Sequence, residues 1–153
     1  MTKQYIEENL QKHLQDMEVG DRIVTKSRVI TKTDLEFFAI STGCKHPMFL
    51  SDEHAKSLGW RTQLVPGLLS YSIALGLLVE SGFISEAIAF MGTDKLRFLA
   101  PVYPHDTIRA EAEVLSIKQT KKGKWVGTYK WVIKNQNDEA VIQGENTCML
   151  KPS

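Results

Sequence analysis

The chain has 153 residues, 42% hydrophobic and 24% charged, a composition that argues against disorder and suffices for one domain with a sizeable core. Its formal net charge of +1, from 19 basic and 18 acidic residues, gives no electrostatic ground for a nucleic-acid binder, whose affinity rests on neutralising phosphates. Cys44 and Cys148 match no disulfide framework or CxxC metal pattern, and the opening "MTKQYIEENLQKHLQD" lacks the apolar core of a secretory signal, so the expectation is a soluble cytoplasmic protein with reduced thiols.

In chain order, Tyr5, Ile6, Leu10, Leu14 and Met17 recur at about one helical turn, which predicts an amphipathic helical extension over residues 1–16 ahead of a single domain over 17–153. "DRIVTKSRVI" reads as a strand. "TKTDLEFFAISTG" reads as a helix with a capping box at Thr33 and Glu36, an apolar face of Leu35, Phe38 and Ile40, and Gly43 as its stop. A short helix in "SDEHAKSLG" has Ser51 as N-cap and Gly59 as its end. "VPGLLSYSIALGLLVESG" is a helix with Pro66 in its first turn and apolar residues on nearly every face. The apolar run from Leu64 to Val79 falls short of the roughly 20 residues of a membrane span, so the helix has to be enclosed by protein.

The second half supplies the enclosure. "AIAFMG" and "KLRFLAPV" read as two short strands. In "DTIRAEAEVLSIKQT", Ile108, Ala110, Ala112 and Val114 alternate with Arg109, Glu111 and Glu113, the period of a strand buried on one face. "KWVGTYKWVIKN" and "EAVIQGENTCMLK" continue the pattern through the turns "KKGK" and "NQND". The fold class is α+β, a long-stranded antiparallel sheet wrapped around a buried central helix, which describes the hotdog fold. One sheet covers only part of such a helix and leaves edges open, so a homodimer or a higher homo-oligomer is expected.

The chemistry-bearing stretch is "STGCKHPMFLSDEHAK", with Cys44, His46, Asp52 and His54 around Pro47. A Cys44–His46 nucleophilic pair lacks an orienting third group. The four side chains are permitted zinc ligands, but their spacing matches no recurrent motif; Asp52 reads as an acid favouring a helix N-terminus and His54 as solvated, so no metal is expected. Gly67, just inside the central helix, either offers its N–H to a ligand or merely starts a buried helix; the residues leave both open.

The order "STGCKHPMFLSDEHAKSLGW", "VPGLLSYSIALGLL", "LRFLAPVYPHDTI", running from "MEVGDRI" at residue 17 to the end, resembles the MaoC-like (R)-specific enoyl-CoA hydratase/dehydratase family. The family's motif, Asp-x-Asn-Pro-x-His, supplies an Asp and a His that activate the water added across a trans-2-enoyl thioester. Pro47 and Gly67 match the family pattern, whereas Cys44 stands at the Asp position, His46 at the Asn position and Phe49 at the His position. The resemblance implies an acyl-CoA or other acyl thioester bound between two subunits, its carbonyl on the Gly67 N–H and its acyl chain along Val65 and Leu68. Arg61, Lys95 and Arg97 are candidates for the coenzyme A phosphates, and coenzyme A enters as part of the ligand, with no other cofactor. Since hydration needs a base for water and an acid for the α-carbon, two functions follow. One is a variant hydratase with His46 as proton carrier; the other is a non-catalytic acyl-CoA binder or the structural subunit of a heteromer with an active hydratase. A thioesterase, another hotdog activity, ranks last because its carboxylate candidate, Glu80, lies at the far end of the central helix.

Overall fold

The computed structural model describes residues 2–6 and 13–152. Among the described residues, seven strands form one sheet: β1 (Gln4–Ile6), β2 (Arg22–Val24), β3 (Arg28–Val29), β4 (Ala87–Phe98), β5 (Thr107–Gln119), β6 (Trp125–Lys134) and β7 (Ala140–Leu150). Their order is β1-β2-β5-β6-β7-β4, with β3 also paired to β5, and every pairing is antiparallel except β1 with β2. Between β3 and β4 come four helices: α1 (Lys32–Thr42), α2 (Pro47–Leu50), α3 (Asp52–Ser57) and the central α4 (Gly67–Glu80).

The period-two pattern of β5 places Ile108, Ala110, Ala112 and Val114 in the core, and Tyr129, Trp131 and Ile133 of β6 and Ile142, Cys148 and Leu150 of β7 join them. Helix α4 buries Leu69, Ser70, Tyr71, Ala74, Leu77 and Leu78 in the core. Where α4 meets the sheet, the Tyr71 and Trp131 rings stack at 4.7 Å between centroids. Opposite Trp131 in the ladder is Gly144, where an added Cβ would lie 2.6 Å from the indole Cζ2; the absent side chain leaves room for the ring. Asn146, fully buried, completes the joint. Its Oδ1 accepts from Tyr71 Oη–H and Trp131 Nε1–H, each at 2.8 Å, and its Nδ2–H donates to Tyr129 Oη at 3.0 Å. Three polar ring groups are thus satisfied by one amide inside the core, where an unpaired one would cost about 1–3 kcal/mol.

The hotdog architecture expected from the sequence holds, with five corrections of detail. The N-terminal extension is not a helix where it is described. Gln4–Ile6 is a strand parallel to β2, Leu14–Asp16 is a single 3-10 turn, and Leu10 lies outside the described residues. Leu14 and Met17 are buried among the core residues, so this segment packs into the domain. The capping box of α1 is Thr31 with Asp34 rather than Thr33 with Glu36: Asp34 N–H donates to Thr31 Oγ1 at 3.1 Å and Thr31 N–H to Asp34 Oδ2 at 2.9 Å. The inner face of α1 is Leu35 and Ala39, while Ile40 is exposed; Gly43, at φ 75°, ends the helix as expected. The two short apolar strands are one, β4, which stays paired to β7 through three register shifts. "DRIVTKSRVI" divides into β2 and β3, paired to different stretches of β5.

Candidate functional site

A cleft of about 490 Å³ lies at the N-terminal end of α4. Three stretches of chain wall it: Cys44, Met48 and Phe49 from the loop and α2; Leu64 to Leu68 leading into α4; and Phe98 to Val102, from the end of β4 onward. Phe38 of α1, Trp60 and Ile142 complete it. None of the wall residues is charged, and the polar side-chain groups among them are the Cys44 thiol and the Trp60 indole N–H.

The short helices set this wall. Pro47 occupies the first position of α2, where its missing N–H costs nothing, and His46 is the N-cap, its Nδ1 accepting from Met48 N–H at 3.1 Å. Ser51 caps α3 through His54 N–H, as expected from the sequence. Asp52 does more than favour the dipole of α3: its Oδ1 accepts from the Thr62 hydroxyl and from Gln63 N–H at 3.0 Å. Those two hydrogen bonds hold its carboxyl below the usual carboxylate range. Gln63 Nε2–H donates to Phe49 O at 2.9 Å, Leu64 N–H to Met48 O at 2.9 Å, and Val65 N–H to Val102 O at 2.8 Å. The entry to α4 is therefore fastened at once to α2, α3 and the segment after β4.

At the helix start, Leu69 N–H and Ser70 N–H turn back to Pro66 O, and Pro66 has no side chain to cap the first turn. As the first residue of α4, Gly67 has an N–H without a partner inside the helix, at the positive end of the helix dipole. Gly67, Val65, Leu68, Cys44 and Phe49 all belong to the cleft wall. His46 does not; it is exposed, with its ring 6.0 Å from His54 and 6.1 Å from Phe49 between centroids. Among the described residues, no three His, Cys, Asp or Glu side chains gather as a metal site would need.

The three phosphate candidates separate. Arg61 follows Trp60 of the wall and lays its guanidinium over the Tyr103 ring, 4.3 Å from the centroid. Lys95 is on the outer, charged face of the sheet, in a groove with Glu113 and Lys130, and pairs with Glu145 at 3.2 Å. The Arg97 Nη1–H donates to the backbone oxygen of Leu96 at 2.9 Å. Arg61 and Arg97 each adjoin a residue of the cleft wall, Trp60 and Phe98, whereas Lys95 lies in the groove on the other face. Sequence reasoning missed Phe38, Trp60, Phe98 and Leu99. Only folding brings these apolar residues beside Gly67, and nothing in their local pattern distinguishes them from core.

The MaoC-like domain model matches residues 15–136. The β-methylmalyl-CoA dehydratase of Chloroflexus aurantiacus is 32% identical over 131 residues, 84% of this chain and 37% of that protein. The chain spans about two fifths of the length of the first curated relatives it matches. Among solved structures, an Archaeoglobus protein named monoamine oxidase regulatory protein aligns with a TM-score of 0.83 and 30% identity, covering 100% of this chain and 97% of that one. The (R)-hydratase of A. caviae, named for polyhydroxyalkanoate biosynthesis, aligns with a TM-score of 0.75 and 25% identity over 90% of this chain and 99% of that one.

Proposed function

This chain belongs to the MaoC-like domain family of dehydratases and hydratases, and from that premise we propose that it binds an acyl thioester whose acyl group is an uncharged hydrocarbon. The thioester carbonyl lies against the Gly67 N–H and the chain along Val65 and Leu68, with Arg61 toward the phosphates of coenzyme A. The single observation that carries this reading is the cleft itself: an open helix N-terminus beside Gly67, in a wall without one charged residue. A methylmalyl group, named in one relative, keeps a free carboxylate beside its thioester, and burying that charge without a partner costs several kcal/mol.

The same wall supports a binding role without proton transfer. Phe49 has no proton to move, and the His46 imidazole caps its own helix through Nδ1. His46 braces the loop, as the asparagine of the family motif would, and a hydratase partner subunit supplies acid–base chemistry. A second copy of the chain covers the outward side of α4, where Leu68 and Val79 are 57% and 50% exposed, and the unpaired edge of β4 beside it.

Calorimetric titration with butyryl-CoA and succinyl-CoA tests the ligand class. Butyryl-CoA is expected to bind on the order of 10²-fold more tightly, the equivalent of about 3 kcal/mol for the stranded carboxylate. Equal affinity would overturn the hydrocarbon specificity, and no binding of either would overturn the thioester reading. The absorbance of crotonyl-CoA should stay constant with the isolated protein; its steady loss would show that this chain hydrates by itself.

A further inference from the structure

The cleft has a rim and a floor. Leu68, Phe98 and Leu99 keep about half of their surface outside, whereas Val65, Val102 and Ile142 are 5%, 4% and 1% exposed. A second copy of the chain can only deepen burial, so these three form the floor in a dimer as well. The floor is also fastened. Val65 N–H donates to Val102 O at 2.8 Å, and Leu99 N–H donates at 2.8 Å to the carbonyl of Val141, the residue before Ile142.

This floor lies close to the start of α4. Val65 is two residues ahead of Gly67, and two extended residues span at most about 7 Å. Ile142 is the ladder partner of Phe98, one strand spacing of about 5 Å from the rim. A chain leaving a thioester at Gly67 therefore meets the floor after about five carbons, each advancing it by less than a bond length of about 1.5 Å. Beyond Ile142, the next residue on the same face of β7 is Gly144, and the Trp131 indole lies over it, its Cζ2 2.6 Å from where a Cβ would stand. That ring is fixed, stacked on Tyr71 and held through Nε1–H by Asn146.

We propose that Ile142 is the stop of the acyl channel. Its side chain stands between the cleft and the indole over Gly144, and it limits the ligand to a short acyl chain of about six carbons or fewer. The inference rests on the acyl-thioester reading and adds chain length to it, with Ile142 as the residue that sets specificity. Ile142→Ala removes three side-chain carbons and leaves the indole as the new end of the channel, with room for about as many ligand carbons. Ile133, the ladder partner of Ile142 on β6, is fully buried too but lies outside the cleft wall. Ile133→Ala thus takes the same group from the core without lengthening the channel.

Calorimetric affinities for butyryl-, hexanoyl- and octanoyl-CoA test the stop in wild type, Ile142→Val, Ile142→Ala and Ile133→Ala, each below its melting temperature. An open apolar channel gains about fourfold in affinity for each methylene buried. Wild type is expected to break that trend and bind octanoyl-CoA about tenfold or more weakly than butyryl-CoA. Ile142→Ala should shift the octanoyl-to-butyryl ratio toward octanoyl by about tenfold or more, Ile142→Val by about threefold, and Ile133→Ala by less than about twofold. Ile142→Val, the smaller change, decides alone where Ile142→Ala does not fold. A wild-type affinity that rises steadily through octanoyl-CoA overturns the stop. So does a ratio left unchanged by the Ile142 variants, or one shifted equally by Ile133→Ala; in both cases the binding of butyryl-CoA leaves the thioester reading standing. Wild type that binds none of the three overturns that reading, and the stop with it.

Discussion

The two ends of helix α4's environment handle polar groups in opposite ways. Against the sheet, Asn146 satisfies Tyr71, Trp131 and Tyr129 at once, and burial raises the Tyr129 hydroxyl far above its ordinary range. At the N-terminus, Gly67 lines an apolar cleft with neither a capping side chain nor a charged neighbour in the wall. Gly67 is half-buried in the cleft wall, and one turn into the helix the buried Ser70 hydroxyl has no hydrogen-bond partner, nor has the Thr93 hydroxyl in the sheet. The contrast separates what holds the fold from where the proposed ligand would sit.

The largest effect should come from restoring chemistry to the open end. Cys44→Asp with Phe49→His places a carboxylate and an imidazole in the cleft wall, and is expected to raise crotonyl-CoA hydration by two orders of magnitude or more over wild type. A folded variant that binds butyryl-CoA but stays inert would show that the two positions do not address the reacting carbons. At the closed end, Asn146→Leu leaves three buried ring groups without their partner. Urea denaturation should show a loss of about 4 kcal/mol, with ligand affinity per folded molecule retained. A loss below about 1 kcal/mol would mean that the network holds little of the fold.

His46 lies between the two regimes. His46→Ala should cost about 1 kcal/mol through the lost N-cap, and His46→Asn, which keeps a capping acceptor, should restore it along with butyryl-CoA affinity. Failure of asparagine to restore either would assign the imidazole a role beyond bracing. The smallest expected effect is that of Asp52. Its folded carboxyl titrates below the unfolded one because Thr62 and Gln63 donate to it, so the unfolded state binds more protons in that interval. The stabilisation is complete above the ordinary range near pH 4 and is lost as pH falls through the lower folded value. Thermal melts of Asp52→Asn from about pH 6 to 3 should therefore fall less steeply than those of wild type; parallel curves would remove Asp52 as a fastening.

Much of the closed end was legible in the sequence, because burial imposes a period. Ile108, Ala110, Ala112 and Val114 gave away β5, and an all-apolar run after Pro66 gave away α4. Where two local signals compete, pattern alone fails: Thr31 and Thr33 both precede an acid by three residues, and the chain uses the earlier pair. Polar residues between Phe90 and Leu96 looked like a break, yet the ladder to β7 absorbs them as bulges. Helical spacing of Tyr5 and Ile6 lost to pairing with β2, since three residues carry little periodic information and an open sheet edge was available. The cleft was half legible. Cys44, Phe49, Val65, Gly67 and Leu68 come from two motifs, whereas Trp60 and Phe98, though inside the stretches that carry the resemblance, have no chemistry that marks them for the same wall.

The most direct measurement is the amide proton resonance of Gly67 during titration with butyryl-CoA. A hydrogen bond from this N–H to the thioester carbonyl requires a downfield shift that saturates with the calorimetric isotherm, while the side-chain amide of Asn146 stays in place. A saturable titration that leaves Gly67 unmoved would contradict the central claim.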